Sequence, residues 1–105
     1  MSKKLVTRDL SQFVQEKRQD GIEIPWEGAI VLTLPNPAFW PKAARELGAA
    51  GDGEGSLRVI AGDEAVDTFV TAVGMDADTA CNVVWALIAE ELGLSAGESL
   101  ASSTS

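Results

Sequence analysis

The chain has 105 residues with 46% apolar content, which holds one domain around a small core. It has no histidine and one cysteine, Cys81, which removes the commonest general base and excludes a zinc site and an intramolecular disulfide. Net charge is -8 and unevenly spread: residues 1–58 hold eight acidic and all eight basic residues, residues 59–105 hold eight acidic and none basic, so the second half repels nucleic acid and anionic membrane.

From the N-terminus, Met1–Val6 carries two lysines with no apolar run behind them, unlike a signal peptide, and no segment approaches the ~18 apolar residues of a membrane span. Residues 1–20 read as an arm, either frayed or forming a short helix capped by Thr7 with Leu10, Phe13 and Val14 on one face. Lys17–Gly21 is a solvated turn. A single globular domain is expected over 21–93.

That domain opens on a β-hairpin. Ile22–Trp26 alternates apolar and polar, Ile30–Leu34 is β-branched and apolar, and Glu27-Gly28 forms the turn. Pro25 belongs at a strand end or on an edge. Asn36 and Pro37 are cap and first-turn residues. Pro41 then requires either a helix starting near it or a separate turn before it. Trp40, Ala43, Ala44 and Leu47 recur at helical spacing, predicting a helix near 41–47 closed by Gly48.

Residues 49–55 hold three alternating glycines and read as a linker. They lack the G-x-G-x-x-G spacing of a phosphate loop and carry two acids. Ser56 is a candidate cap for a short turn through Leu57, Val59 and Ile60. Asp63 is the expected cap of a helix over 64–73, with Val66, Phe69, Val70 and Val73 on one face and Gly74 closing it. Asp76 caps the last helix, 77–92, which stops at Gly93. Residues 94–105 are small and polar and are expected to be disordered.

The last helix carries an apolar arc of about 160°, against the ~100° that a surface helix needs. Ala77, Cys81, Val84 and Ile88 form its centre, Trp85 and Leu87 its two margins, with Leu92 beside Trp85. Either several elements wrap this helix or one margin is left for a partner. Trp40, Trp85, Leu87 and Leu92 are accordingly the candidate partner-binding residues. Each has an alternative as ordinary core, and for Trp40 the core is the stronger of the two readings. No catalytic, cofactor-binding or metal-binding set is found. Serines have no His to activate them, and there is no Gly-Lys-Ser/Thr phosphate loop. Asp63, Glu64, Asp76 and Asp78 fit first-turn positions where they complement the helix dipole, so no enzymatic activity and no cofactor is expected.

The run Arg58-Val59-Ile60-Ala61-Gly62-Asp63-Glu64-Ala65-Val66, then Phe69, the Gly74-Met75-Asp76 break, the helix end Ala89–Leu94 and the tail Gly97–Ser103 together resemble the tail assembly chaperones of long-tailed, siphovirus-type actinobacterial phages. Ile24-Pro25-Trp26 and Leu34-Pro35 resemble that family's N-terminal segment, and the likeness is clearest over residues 58–103. The resemblance implies a bacteriophage protein that binds the tape measure protein and keeps it soluble while the tail tube protein polymerises around it. It implies the short form of a gene extended by ribosomal frameshifting, working in the cytoplasm of the infected host bacterium and absent from the mature virion. Its implied partners are the tape measure protein, the tail tube protein and the longer frameshifted form of itself, with a homo-oligomer also open and with neither nucleic acid nor membrane. Two other readings remain: a small structural virion subunit of tail or connector, and an acidic regulator or inhibitor, which requires carboxylates in rows along one surface.

Overall fold

Capping residues set the element boundaries. The computed structural model describes residues 9–94. Asp9 accepts a 2.8 Å hydrogen bond from the Ser11 N–H and starts helix α1, Leu10–Arg18. The N-terminal arm therefore includes a helix, and its cap is Asp9 where Thr7 was expected; Thr7 lies outside the described residues. A short turn leads to the antiparallel hairpin of β1, Ile22–Trp26, and β2, Ala29–Leu34. Its two-residue connection has Glu27 at φ 51° and Gly28 at φ 88°, the pair of positive φ values that a type I′ hairpin requires. The register slips at Ile24/Pro25, leaving Val31 as the extra residue of a bulge opposite the proline. Pro25 sits on an outer strand of a two-stranded sheet, where its missing N–H disrupts no central ladder.

Both arrangements considered around Pro41 occur in sequence. Asn36 accepts from the Ala38 N–H at 2.9 Å and caps a 3-10 turn, Pro37–Phe39. Pro41 then precedes helix α2, Lys42–Ala49. Gly48 lies inside this helix, and closure comes two residues later than the sequence suggested. The Gly51 and Asp52 N–H groups return to the carbonyls of Gly48 and Leu47 at 3.0 and 2.9 Å, a Schellman closure.

The expected linker over 49–55 is largely helical. Helix α3 spans Gly53–Ala61, with Asp52 accepting from the Gly55 N–H at 2.8 Å. Glycines weaken helix interiors, but Gly53 and Gly55 occupy the first turn, where the cap supplies order that propensity does not. Ser56 is not a cap: it is buried one turn in, and its hydroxyl donates to the Ala44 carbonyl at 2.8 Å, tying α3 to α2. Helix α4, Asp63–Val73, takes Gly62 as its N-cap, so Asp63 is its first residue and not its cap. Arg58 of α3 pairs with Glu54 one turn back at 2.9 Å and reaches α4 through Asp63 at 3.3 Å and Asp67 at 2.9 Å, and these carboxylates hold its guanidinium more firmly protonated than usual.

Helix α5, Ala77–Leu92, starts at Asp76, which accepts from the Thr79 N–H at 3.0 Å. It ends at Gly93, whose φ of 71° lets the chain fold back so that Leu94 enters the core. Leu94 is therefore part of the packed body, where a disordered tail was expected to begin; the rest of that tail, 95–105, lies outside the described residues. The protein is thus mainly α-helical with one N-terminal hairpin. Its core joins Ile24, Leu32 and Leu34 of the hairpin to Leu57, Val66, Phe69 and the α5 row Ala80, Cys81, Val84, Trp85 and Ile88.

A candidate partner-binding groove

The structure divides the four candidate contact residues into two pairs. Trp40 and Trp85 are 3% and 6% exposed, while Leu87 and Leu92 are 38% and 51% exposed. The two tryptophans meet edge to face, with ring centroids 5.4 Å apart and planes at 85°. Such a contact contributes about 0.5–1.5 kcal/mol beyond area burial. Each indole N–H also has a backbone acceptor inside the fold. Trp40 Nε1 donates to the Pro35 carbonyl at 2.9 Å, and Trp85 Nε1 donates to the Gly53 carbonyl at 2.8 Å. Both are core residues, and neither has surface to offer a partner.

Gly53 explains why the Trp85 margin of α5 is closed. A Cβ at this position would lie 2.9 Å from Asn82 Oδ1 and 3.1 Å from Trp85 Cδ1. The start of α3 therefore approaches α5 at glycine distance and seals that margin. The Leu87 margin has no such neighbour and stays open.

There the surface is a groove between the hairpin and α5. One cleft of about 190 Å³ is floored by Ile24, Phe69, Ala80 and Val84 and walled by Pro25, Trp26, Met75, Val83 and Leu87. A second, of about 250 Å³, continues along Ile22, Ile24, Leu87, Ile88 and Leu92, with Glu23 and Glu91 beside it. Ile24 and Leu87 line both, so the two clefts adjoin along α5. Val83 and Trp26, 49% and 36% exposed, complete its apolar rim. Sequence reasoning missed both. Val83 precedes Leu87 by one helical turn, and that i, i+4 pair marks the open margin. Trp26 gave no separate signal, because a strand-end tryptophan is read as core until the packing of the hairpin is known.

No acid–base or metal chemistry converges on this trough. Among the described residues no group of three or more His, Cys, Asp or Glu is placed to hold a metal ion. Cys81 faces the core from α5, where burial pushes its thiol up to about 11, leaving a protonated, inert group. Among the described residues no single helix is long and apolar enough to cross a membrane. What the site offers is shape and apolar surface, the requirements for receiving an amphipathic helix. Compared with protein-family models, curated proteins and solved structures, the chain matches none.

Proposed function

We propose that the protein is a binding module that receives an amphipathic helix of another polypeptide in the groove between hairpin and α5. Following the sequence resemblance, we propose that it is a phage tail assembly chaperone and that this helix belongs to the tape measure protein. The observation that carries the reading is the open apolar margin of α5, Val83 and Leu87, facing the exposed Trp26 across a cleft with an apolar floor. A long helical chain with apolar stripes aggregates unless such stripes are covered, and a trough of this kind covers one stripe per bound copy. The acidic surface supports the same function, because bound copies repel one another and keep the complex dispersed.

Co-expression with the tape measure protein encoded by the same phage tests this. The wild-type chain should bring it into the soluble fraction and co-purify with it. Val83→Asp and Leu87→Asp place charges on the trough rim and should lower that recovery at least about tenfold, an energy of about 1.4 kcal/mol. A tape measure protein that stays insoluble beside the wild-type chain, or a complex indifferent to both substitutions, rejects the proposal. Finding the chain in stoichiometric amount in purified virions replaces it with the structural-subunit reading.

A further inference from the structure

The two clefts of the groove differ in charge. Every residue lining the cleft at Trp26 is apolar, whereas the adjoining cleft at Leu92 has a carboxylate on each wall, Glu23 from β1 and Glu91 from α5. Among the described residues no Lys or Arg lines either cleft, and neither Glu23 nor Glu91 forms an ion pair. The cations of the body are engaged elsewhere. Lys42 lies 3.9 Å from Glu46, Arg45 donates to the Trp40 carbonyl at 3.0 Å, and Arg58 is held by three carboxylates of α3 and α4. Arg18 lines a separate cleft together with Glu23 but makes no ion pair with it. We propose that the groove selects an amphipathic helix whose apolar stripe ends in Lys or Arg, the stripe lying in the Trp26 cleft and the cation beside Glu23 and Glu91. This rests on the reading that the groove receives a helix, and it holds whichever protein supplies that helix.

The position of Glu91 runs against its own helix. Acids favour a helix N-terminus and disfavour the C-terminus, where the dipole is already negative. Asp63, Glu64 and Asp78 obey that rule in the first turns of α4 and α5. Glu90 and Glu91 break it, because they occupy the last turn of α5, which has no basic residue. The negative charge of that turn therefore adds to Glu23 across the cleft and is compensated by nothing within the body. A cation from outside compensates it. Geometry fixes the spacing. Glu91 lies eight residues beyond Val83, about 12 Å along the α5 axis, so a helix lying along α5 carries its cation seven or eight positions from the side chain packed beside Val83. The apolar cleft supplies most of the affinity. The exposed carboxylates supply register, and they reject a helix with an acid at the same place.

Fluorescence anisotropy on the full-length protein tests this with two labelled synthetic peptides, each held helical by a staple on its polar face. Both carry leucines at i, i+3 and i+4 among alanines and glutamines; one has lysine at i+7 and i+8, the other glutamine. The wild-type protein should bind the lysine peptide about fivefold more tightly at about 0.05 M salt, and the advantage should fade by about 0.5 M as the exposed charges are screened. Glu23→Gln with Glu91→Gln should bind the two peptides alike, with the affinity for the glutamine peptide unchanged. Glu46→Gln with Glu64→Gln removes the same charge outside both clefts and should keep the preference. Val83→Asp with Leu87→Asp should lose both peptides, and circular dichroism checks that every variant remains folded. A wild type without preference, a preference that survives the loss of Glu23 and Glu91, or one that vanishes with Glu46 and Glu64 overturns the charge selection and leaves the helix-receiving groove standing. Binding of neither peptide by the wild type, or undiminished binding by the Val83 and Leu87 variant, overturns both. If the peptides behave as expected while groove substitutions leave tape measure recovery unchanged, the partner proposed above is wrong and the charge selection stands.

Discussion

Trp85 shows how one side chain settles which margin of a helix is closed. Its ring packs on Trp40 and its N–H is satisfied by the Gly53 carbonyl, so it fastens α3 to α5 by both shape and hydrogen bond. Trp85→Phe keeps most of the ring but removes this hydrogen bond between α5 and α3, and should lower unfolding free energy by about 0.5–1.5 kcal/mol. Trp85→Ala opens a cavity as well and should cost about 3–5 kcal/mol. Urea unfolding followed by circular dichroism measures both. A Phe variant as stable as the wild type shows that the indole hydrogen bond contributes nothing net. The sequence placed Trp85 and Leu87 symmetrically on the edges of one apolar arc. Periodicity gives angle around a helix axis and says nothing of what approaches from outside. What distinguishes the two residues is Gly53, 32 positions from Trp85 in the chain, whose missing side chain admits α3 on one margin only.

Elements with complete local signals were legible, and those needing a distant neighbour were not. The hairpin, α4 and α5 carry a turn or cap at each end, and their expected limits lie within a residue of those observed. Helix α3 was read as linker because glycine propensity opposes it, and the Asp52 cap and the buried Ser56 hydroxyl that hold it depend on α2 being in place. The groove was legible only as an excess of apolar arc on α5. Its second wall, at Trp26, appears only when the hairpin is placed beside that helix. The α5 cap carries a prediction of its own. Hydrogen bonds from the Thr79 N–H and hydroxyl hold the Asp76 carboxyl below its ordinary value of 3.8. A carboxyl whose folded value is depressed contributes its full stabilisation above its unfolded value and loses it as pH falls through the folded one. Asp76→Ala should therefore melt at a lower temperature than the wild type at pH 7, and the two melting curves should converge as pH falls through the depressed folded value, beneath which the carboxyl is protonated in both states. A gap that persists undiminished at low pH assigns the effect to something other than the charged cap.

Across the whole molecule, the body and α1 differ in what holds them. The body shares one core across hairpin and helices, so its elements open together. Helix α1 buries nothing in that core, and its nine residues fall short of the roughly 12–15 at which an isolated helix becomes marginally stable in water. Local contacts support it: the Asp9 cap on Ser11, and Lys17 with its ammonium 5.7 Å from the centre of the Phe13 ring and 3.9 Å from the Asp20 carboxylate. Such exposed contacts each contribute well under about 1 kcal/mol. In dilute protein at high salt, hydrogen exchange should find the α1 amides nearly unprotected while the amides of α3 and α5 approach the protection of global unfolding. Protection of α1 equal to that of α5 means that the helix packs on its own body and opens only when that body unfolds.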